Sequence, residues 1–186
     1  MVVFDNSALV LLFNPKRPAP NDPKTNEPVT RCQERIEYLV KTLSERRTKV
    51  GIPTPVLAEY LIGVGPKKQD FLTEITANAA FSLLPFDEKA AVELAILTES
   101  GVKQWDIKSK VRFDRQVVAI AKTTNATALY TADEKQGAFA EACGIRVIMV
   151  WDIPLPPPET ASLFGVEPPE PPATSSATEP QPPSSQ

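Results

Sequence analysis

Five short apolar runs, at residues 2–4, 49–53, 81–86, 127–131 and 145–151, alternate along the chain with stretches that carry helical signals. Strands joined through helices of roughly ten residues or more must cross over rather than form hairpins, so neighbouring strands run parallel and helices cover the sheet. The expected fold is α/β: a three-layer α/β/α sandwich around a parallel sheet of about five strands.

The connections give the same picture. Asp5-Asn6-Ser7 is a polar cluster suited to starting a helix over residues 8–13. Residues 14–30 hold five prolines and few apolar side chains, which predicts a surface loop inserted into the first crossover. Ile36, Leu39, Val40 and Leu43 recur at i, i+3, i+4 and i+7, one apolar face of a helix reaching about Arg47. Thr54 reads as an N-cap before Pro55, and Gly63 as the end of that helix. Further helices are expected over 66–77, from Asp87 onward, over 112–124 and over 134–143, with residues 100–111 a polar connection.

Of the 20 prolines, 11 fall in residues 154–186, which also carry four acids and no base. That composition predicts a disordered acidic tail behind a folded domain of residues 1–153, which itself holds 20 bases against 19 acids. Within the tail, Pro154-Leu155-Pro156-Pro157 and Pro169-Glu170-Pro171-Pro172 match the PxxP pattern, although a passive solvating tail is the simpler expectation. The apolar run at 8–13 is far short of the roughly 20 residues that span a bilayer, and no basic segment precedes it. Cys32 and Cys143 are too few for a disulfide framework. Together these features predict a cytoplasmic protein without membrane contact.

The chain contains no histidine, which excludes Ser-His-Asp and Cys-His nucleophiles, His-ligated zinc and imidazole general-base catalysis. Any catalyst here works with carboxylates, lysines or hydroxyls. In an open parallel sheet ligands gather outside the carboxyl ends of the strands. Asp5 follows the first strand and Asp133 the fourth, while Glu59 and Asp114 lie in helices that approach the same edge. Carboxylates converging in one cleft repel one another, so burying them calls for a cation, and hard oxygen donors favour magnesium or manganese. Taken singly, each acid has a plainer explanation. Asp133 with Gln136 fits a capping box, Asp5 can cap a helix, Glu59 can face solvent, and Asp114 suits a helix's first turn.

The local strings are more specific. Val3-Phe4-Asp5-Asn6-Ser7-Ala8-Leu9, Pro55-Val56-Leu57-Ala58-Glu59, Asp114-Arg115-Gln116-Val117-Val118-Ala119-Ile120-Ala121 and Leu129-Tyr130-Thr131-Ala132-Asp133 resemble, in that order, the four acidic motifs of PIN-domain nucleases. The resemblance is closest to the VapC-type toxin branch and covers about residues 1–151. It implies a metal-dependent endoribonuclease with Asp5, Glu59, Asp114 and Asp133 as its acidic pocket and Mg²⁺ or Mn²⁺ as cofactor. It further implies that Asp5, Asp114 and Asp133 are the metal ligands, that Glu59 positions the attacking water, and that Asn6 and Thr131 steady the pocket. One ion, or two about 3.5–4 Å apart, would activate the water and stabilise the leaving oxygen. A single-stranded RNA substrate, a small antitoxin partner and a homodimer follow from the same resemblance. The 14–30 loop and the tail depart from the compact family pattern. Asp87 is explained by capping, and Asp106 and Glu134 are weaker pocket candidates.

Lys103, Lys108, Lys110, Arg112 and Arg115 put five bases within 13 residues around Asp114. A solvated face is the ordinary explanation; beside a metal pocket, Lys108, Lys110, Arg112 and Arg115 become candidates for holding RNA phosphates. Trp105 in the same run is a stacking candidate, while Lys67-Lys68 and Arg46-Arg47 look like plain surface. Two rivals remain. A PIN-like scaffold that binds partners or RNA without turnover would retain the fold but not the chemistry. A receiver-type phosphoacceptor would want a lysine where the fifth strand ends at Trp151-Asp152.

Overall fold

Strands β1 (Val2–Phe4), β2 (Val50–Pro53), β3 (Phe81–Leu84), β4 (Leu129–Thr131) and β5 (Val147–Met149) form one sheet in the order β3-β2-β1-β4-β5, with every neighbouring pair parallel. The computed structural model describes residues 1–99 and 109–157, with side chains in its sixth helix described from Phe113 onward. The expected tail beyond residue 157 and the connection 100–108, with Lys103, Trp105, Asp106 and Lys108, lie outside the described residues. Seven helices are described: α1 (Asn6–Phe13), α2 (Cys32–Glu45), α3 (Thr54–Val64), α4 (Lys68–Ala77), α5 (Glu88–Glu99), α6 (Ser109–Thr123) and α7 (Glu134–Ala142). None of the described helices is long and apolar enough to cross a membrane.

The three layers follow from the two-residue period of a strand. Val3, Ile52 and Leu129 point into one core, with Leu9 of α1, Val56 of α3, Leu97 of α5 and Ile120 of α6. Their neighbours Val2, Phe4, Val50, Ala128 and Tyr130 point into the other, closed by Ile36, Leu39 and Leu43 of α2. The central strands are therefore apolar on both faces, as a covered parallel sheet requires.

Several element ends differ from expectation for local reasons. Helix α1 begins at Asn6 because the Asp5 side chain accepts the Ala8 N–H at 2.8 Å and so caps it. Thr54 is inside α3 rather than its cap; its hydroxyl accepts the Phe86 N–H at 3.1 Å, tying the helix start to the end of β3. Helix α3 passes Gly63 and ends at Gly65, whose φ of +64° suits glycine and reverses the chain into a 3-10 turn at Gly65–Lys67. Helix α6 starts at Ser109, three residues early, and β5 is short because Val150–Asp152 is a 3-10 turn. Asp87 does cap the following helix, accepting the Ala90 N–H at 3.0 Å.

The strand order locates the functional edge. From β1 the chain moves outward to β2 and β3, then returns to the other side of β1 for β4 and β5. The crossovers diverge between β1 and β4, which opens a crevice at the carboxyl ends of those two strands.

Candidate active site

Asp5 and Asp133 follow the two strands that border this crevice, and each caps a helix with its side chain. Asp133 accepts the N–H groups of Lys135 at 2.9 Å and Gln136 at 3.2 Å at the start of α7. Two hydroxyls tie the acids together across the β1–β4 pair. Thr131 accepts the Asp133 N–H at 2.9 Å and donates to Asp5 Oδ2 at 2.6 Å. Ser7 accepts the Ala132 N–H at 2.7 Å and donates to the Asp5 carboxylate, 2.7 Å from Oδ1 and 2.9 Å from Oδ2. The Asp5 carboxylate is thus held by Ala8, Ser7 and Thr131 at once. Thr131, expected from sequence to steady the pocket, holds Asp5 and the Asp133 N–H; Ser7, part of the helix start and of the first acidic string, holds Asp5 and the Ala132 N–H.

Asp5 is 3% exposed. Burial pushes its carboxyl up to about 6, against the pull of hydrogen bonds from Thr131, Ala8 and Ser7, and the nearby Asp133 charge adds to the rise. A cation in the crevice would relieve both the desolvation and the repulsion.

A cleft of about 810 Å³ opens at this edge, and Asp5, Glu59, Asp114 and Asp133 all line it. Glu59 comes from α3 and Asp114 from α6; α3 packs against both α1 and α6, which brings the four acids to one cleft. All but Asp5 are half-buried. Phe13 and Tyr60 form part of the wall, their rings 6.0 Å apart and both packed on Phe71. Gln136, buried at 4% exposure, also lines the cleft and had no sequence signal beyond its capping-box position. Asn6 lines it too, and its Oδ1 is buried without a hydrogen-bond partner.

The donor types fit a hard divalent cation: four carboxylates and an unpartnered buried amide oxygen line one cleft. Among the described residues no three acids gather closely enough to enclose an ion.

The remaining candidates separate. Glu134 is exposed and Asp87 serves as a cap; neither lines the cleft. Arg115 lies over the Phe139 ring of α7, 5.4 Å from its centroid, and is not a lining residue. Lys110 and Arg112 fall in the first turn of α6, and their side chains lie outside the described residues.

Replacing Thr131 by Val would leave the Asp133 N–H without its acceptor and the buried Asp5 without its shortest hydrogen bond. A loss of about 1–3 kcal/mol is expected, read as a lower denaturant midpoint with unchanged slope, and Thr131→Ser should recover most of it.

No family model and no curated protein matches the chain. Solved structures do. A chain of VapBC2 from Rickettsia felis, in a crystal structure bound to a DNA fragment from their promoter, superposes with a TM-score of 0.53 at 16% identity, over 80% of this chain and 98% of that one. A chain of DNA-bound VapBC from Salmonella typhimurium gives 0.51 at 15% identity, over 81% and 99%. At such identity the likeness concerns the backbone alone: the chain has a PIN-like α/β fold, shared with those VapBC chains.

Proposed function

We propose that the chain is a divalent-metal-dependent endoribonuclease that cuts single-stranded RNA, with Asp5, Glu59, Asp114 and Asp133 as its catalytic acids. The observation that carries this is the convergence of acids from four separate motifs on one cleft, at the point where the crossovers of the sheet diverge. Retained repulsion of this kind is unfavourable in a fold with no use for a cation.

In this mechanism Mg²⁺ or Mn²⁺ supplies activation of a water and neutralisation of charge at the leaving oxygen. Asp5, fixed by Ser7, Ala8 and Thr131, and Asp133, fixed by the α7 backbone, would hold the ion, with Asp114 a ligand directly or through water. With a metal bound, Asn6 Oδ1 would be available to accept from a water beside it, and Glu59 would position the attacking water. Lys108, Lys110, Arg112 and Arg115 belong to the proposal as phosphate contacts near Asp114. The likeness to VapBC chains supports a small antitoxin as partner. A homodimer belongs to the proposal through the family resemblance of the acidic strings, and Val92 and Ile96, one turn apart on α5 and both exposed, offer it an apolar face. Residues 1–153 are the nuclease domain in this proposal and 154–186 an appendage to it.

The test is cleavage of a labelled single-stranded RNA by the purified chain with manganese, with magnesium and with excess chelator. Cutting that needs the metal supports the proposal. Intact RNA in every condition would favour a binding scaffold.

A further inference from the structure

The cleft that the acids line is also lined by cations. Lys67 and Arg17 both line it. Glu59 and Gly63, one turn apart on α3, line the cleft, as does Lys67 in the 3-10 turn after the break at Gly65. A Cβ built at Gly63 would meet nothing within 4 Å, so this stretch of wall is open. Asn6 and Val10 of α1 line it too, as do Asn14 at the end of that helix and Arg17 in the loop beyond.

Arg17 opens the 14–30 insertion, which has internal structure. The Arg17 N–H donates to the Asn14 carbonyl at 3.0 Å, and the Val29 N–H to the Pro20 carbonyl at 2.9 Å. Asn21 and Pro28 form an antiparallel bridge, Lys24 pairs with Asp152 at 3.8 Å, and Ala19 packs on the α2-side core. The insertion therefore holds Arg17 and the adjoining Pro18 and Pro20 as a preformed wall. Both cations are exposed, and neither makes an ion pair among the described residues. On the α6 side, Phe113 lines the same cleft beside Asp114 with 38% of its surface exposed, an aromatic ring where burial would be usual.

We propose that Arg17, Lys67 and Phe113 form a subsite for single-stranded RNA adjoining the acids. The two cations hold backbone phosphates on one side of the cut, and the ring stacks on an unpaired base. Four carboxylates repel a polyanion, so substrate affinity must come from cations placed beyond them. A base is free to lie on Phe113 only when unpaired, which selects single strands over duplex. This deepens the nuclease reading and rests on it for the identity of the ligand, but binding can be measured without cutting.

The experiment uses the full chain with magnesium and a fluorescent oligonucleotide of about 12 uridines, a length in the range of single-strand sites. Its phosphorothioate links resist cutting, and anisotropy is read over a salt series. Arg17→Ala with Lys67→Ala should flatten the slope of log K against log salt by about 1.4, at roughly 0.7 per phosphate. Phe113→Ala should weaken binding about tenfold with the slope unchanged, and Phe113→Trp should restore it. Lys41→Ala with Lys49→Ala, exposed cations that do not line the cleft, should behave as wild type. Melting curves matching wild type show that each variant is folded. A retained slope in the Arg17 and Lys67 variant, an equal loss in the Lys41 and Lys49 pair, or no binding by wild type would each overturn the subsite. Cleavage by Asp5→Asn at the wild-type rate would instead overturn the nuclease reading, leaving the binding result to stand on its own.

Discussion

Asp5→Asn is expected to reduce RNA cleavage by at least about a hundredfold while making the metal-free protein more stable at neutral pH. The loss follows from removing a charged donor on which metal activation of water depends. The gain follows from burial. The folded-state pKa of Asp5 is raised from 3.8 to about 6, so folding favours the protonated carboxyl. Below pH 3.8 the carboxyl is protonated in both folded and unfolded chains and carries no penalty. As pH rises toward 6 the unfolded chain ionises first, and stability falls until Asp5 is charged in both states. The full penalty, up to about 3 kcal/mol, applies above pH 6. Asparagine carries no charge to desolvate, so the advantage of the variant should be present at pH 7.5 and vanish near pH 4. Denaturant midpoints of the two proteins at both pH values check the sign. An advantage that persisted or grew in acid would mean that burial of the charge is not its cause.

At Asp133 capping and catalysis should separate. Its carboxylate accepts the Lys135 and Gln136 N–H groups, a task asparagine performs about as well. Asp133→Asn should therefore melt within about 0.5 kcal/mol of wild type or slightly above it, since one charge near Asp5 is gone. Its cleavage should nevertheless fall by orders of magnitude. Asp133→Ala should lose the same activity and, in addition, about 1 kcal/mol of stability through the missing cap. Were Asp133 a cap alone, Asn would cut RNA normally and Ala would show only the stability loss.

The strands and the two acids that follow them were legible because a covered parallel strand is a short apolar run, and an acid at its carboxyl end stands out. The layers were legible for the same reason, since Ile36, Leu39 and Leu43 repeat with the helical period and do form the α2 core. The helix end at α3 was not. Gly63 and Gly65 are equivalent as letters, and only the backbone conformation at Gly65 distinguishes the stop. The hydroxyl links from Ser7 and Thr131 were illegible for another reason: they join residues about 125 apart in sequence, and only the pairing of β1 with β4 brings them together. Lys67 looked like ordinary surface because exposed cations are common, and Arg17 was one residue of an expected surface loop. Their place at the acid cleft depends on how the 14–30 insertion folds back and on where α3 stops.

The central claim, that the acidic cleft is a cation site, is tested most directly by melting temperature against manganese for wild type, Asp5→Asn and Asp133→Asn at pH 7.5. Wild type should gain roughly 5–10 °C at a concentration a hundredfold above its dissociation constant, as expected for a ligand that binds only the folded state. Both variants should gain far less, and Asp5→Asn should start from a higher metal-free value. An equal rise in all three proteins, or no rise in wild type, would contradict the account.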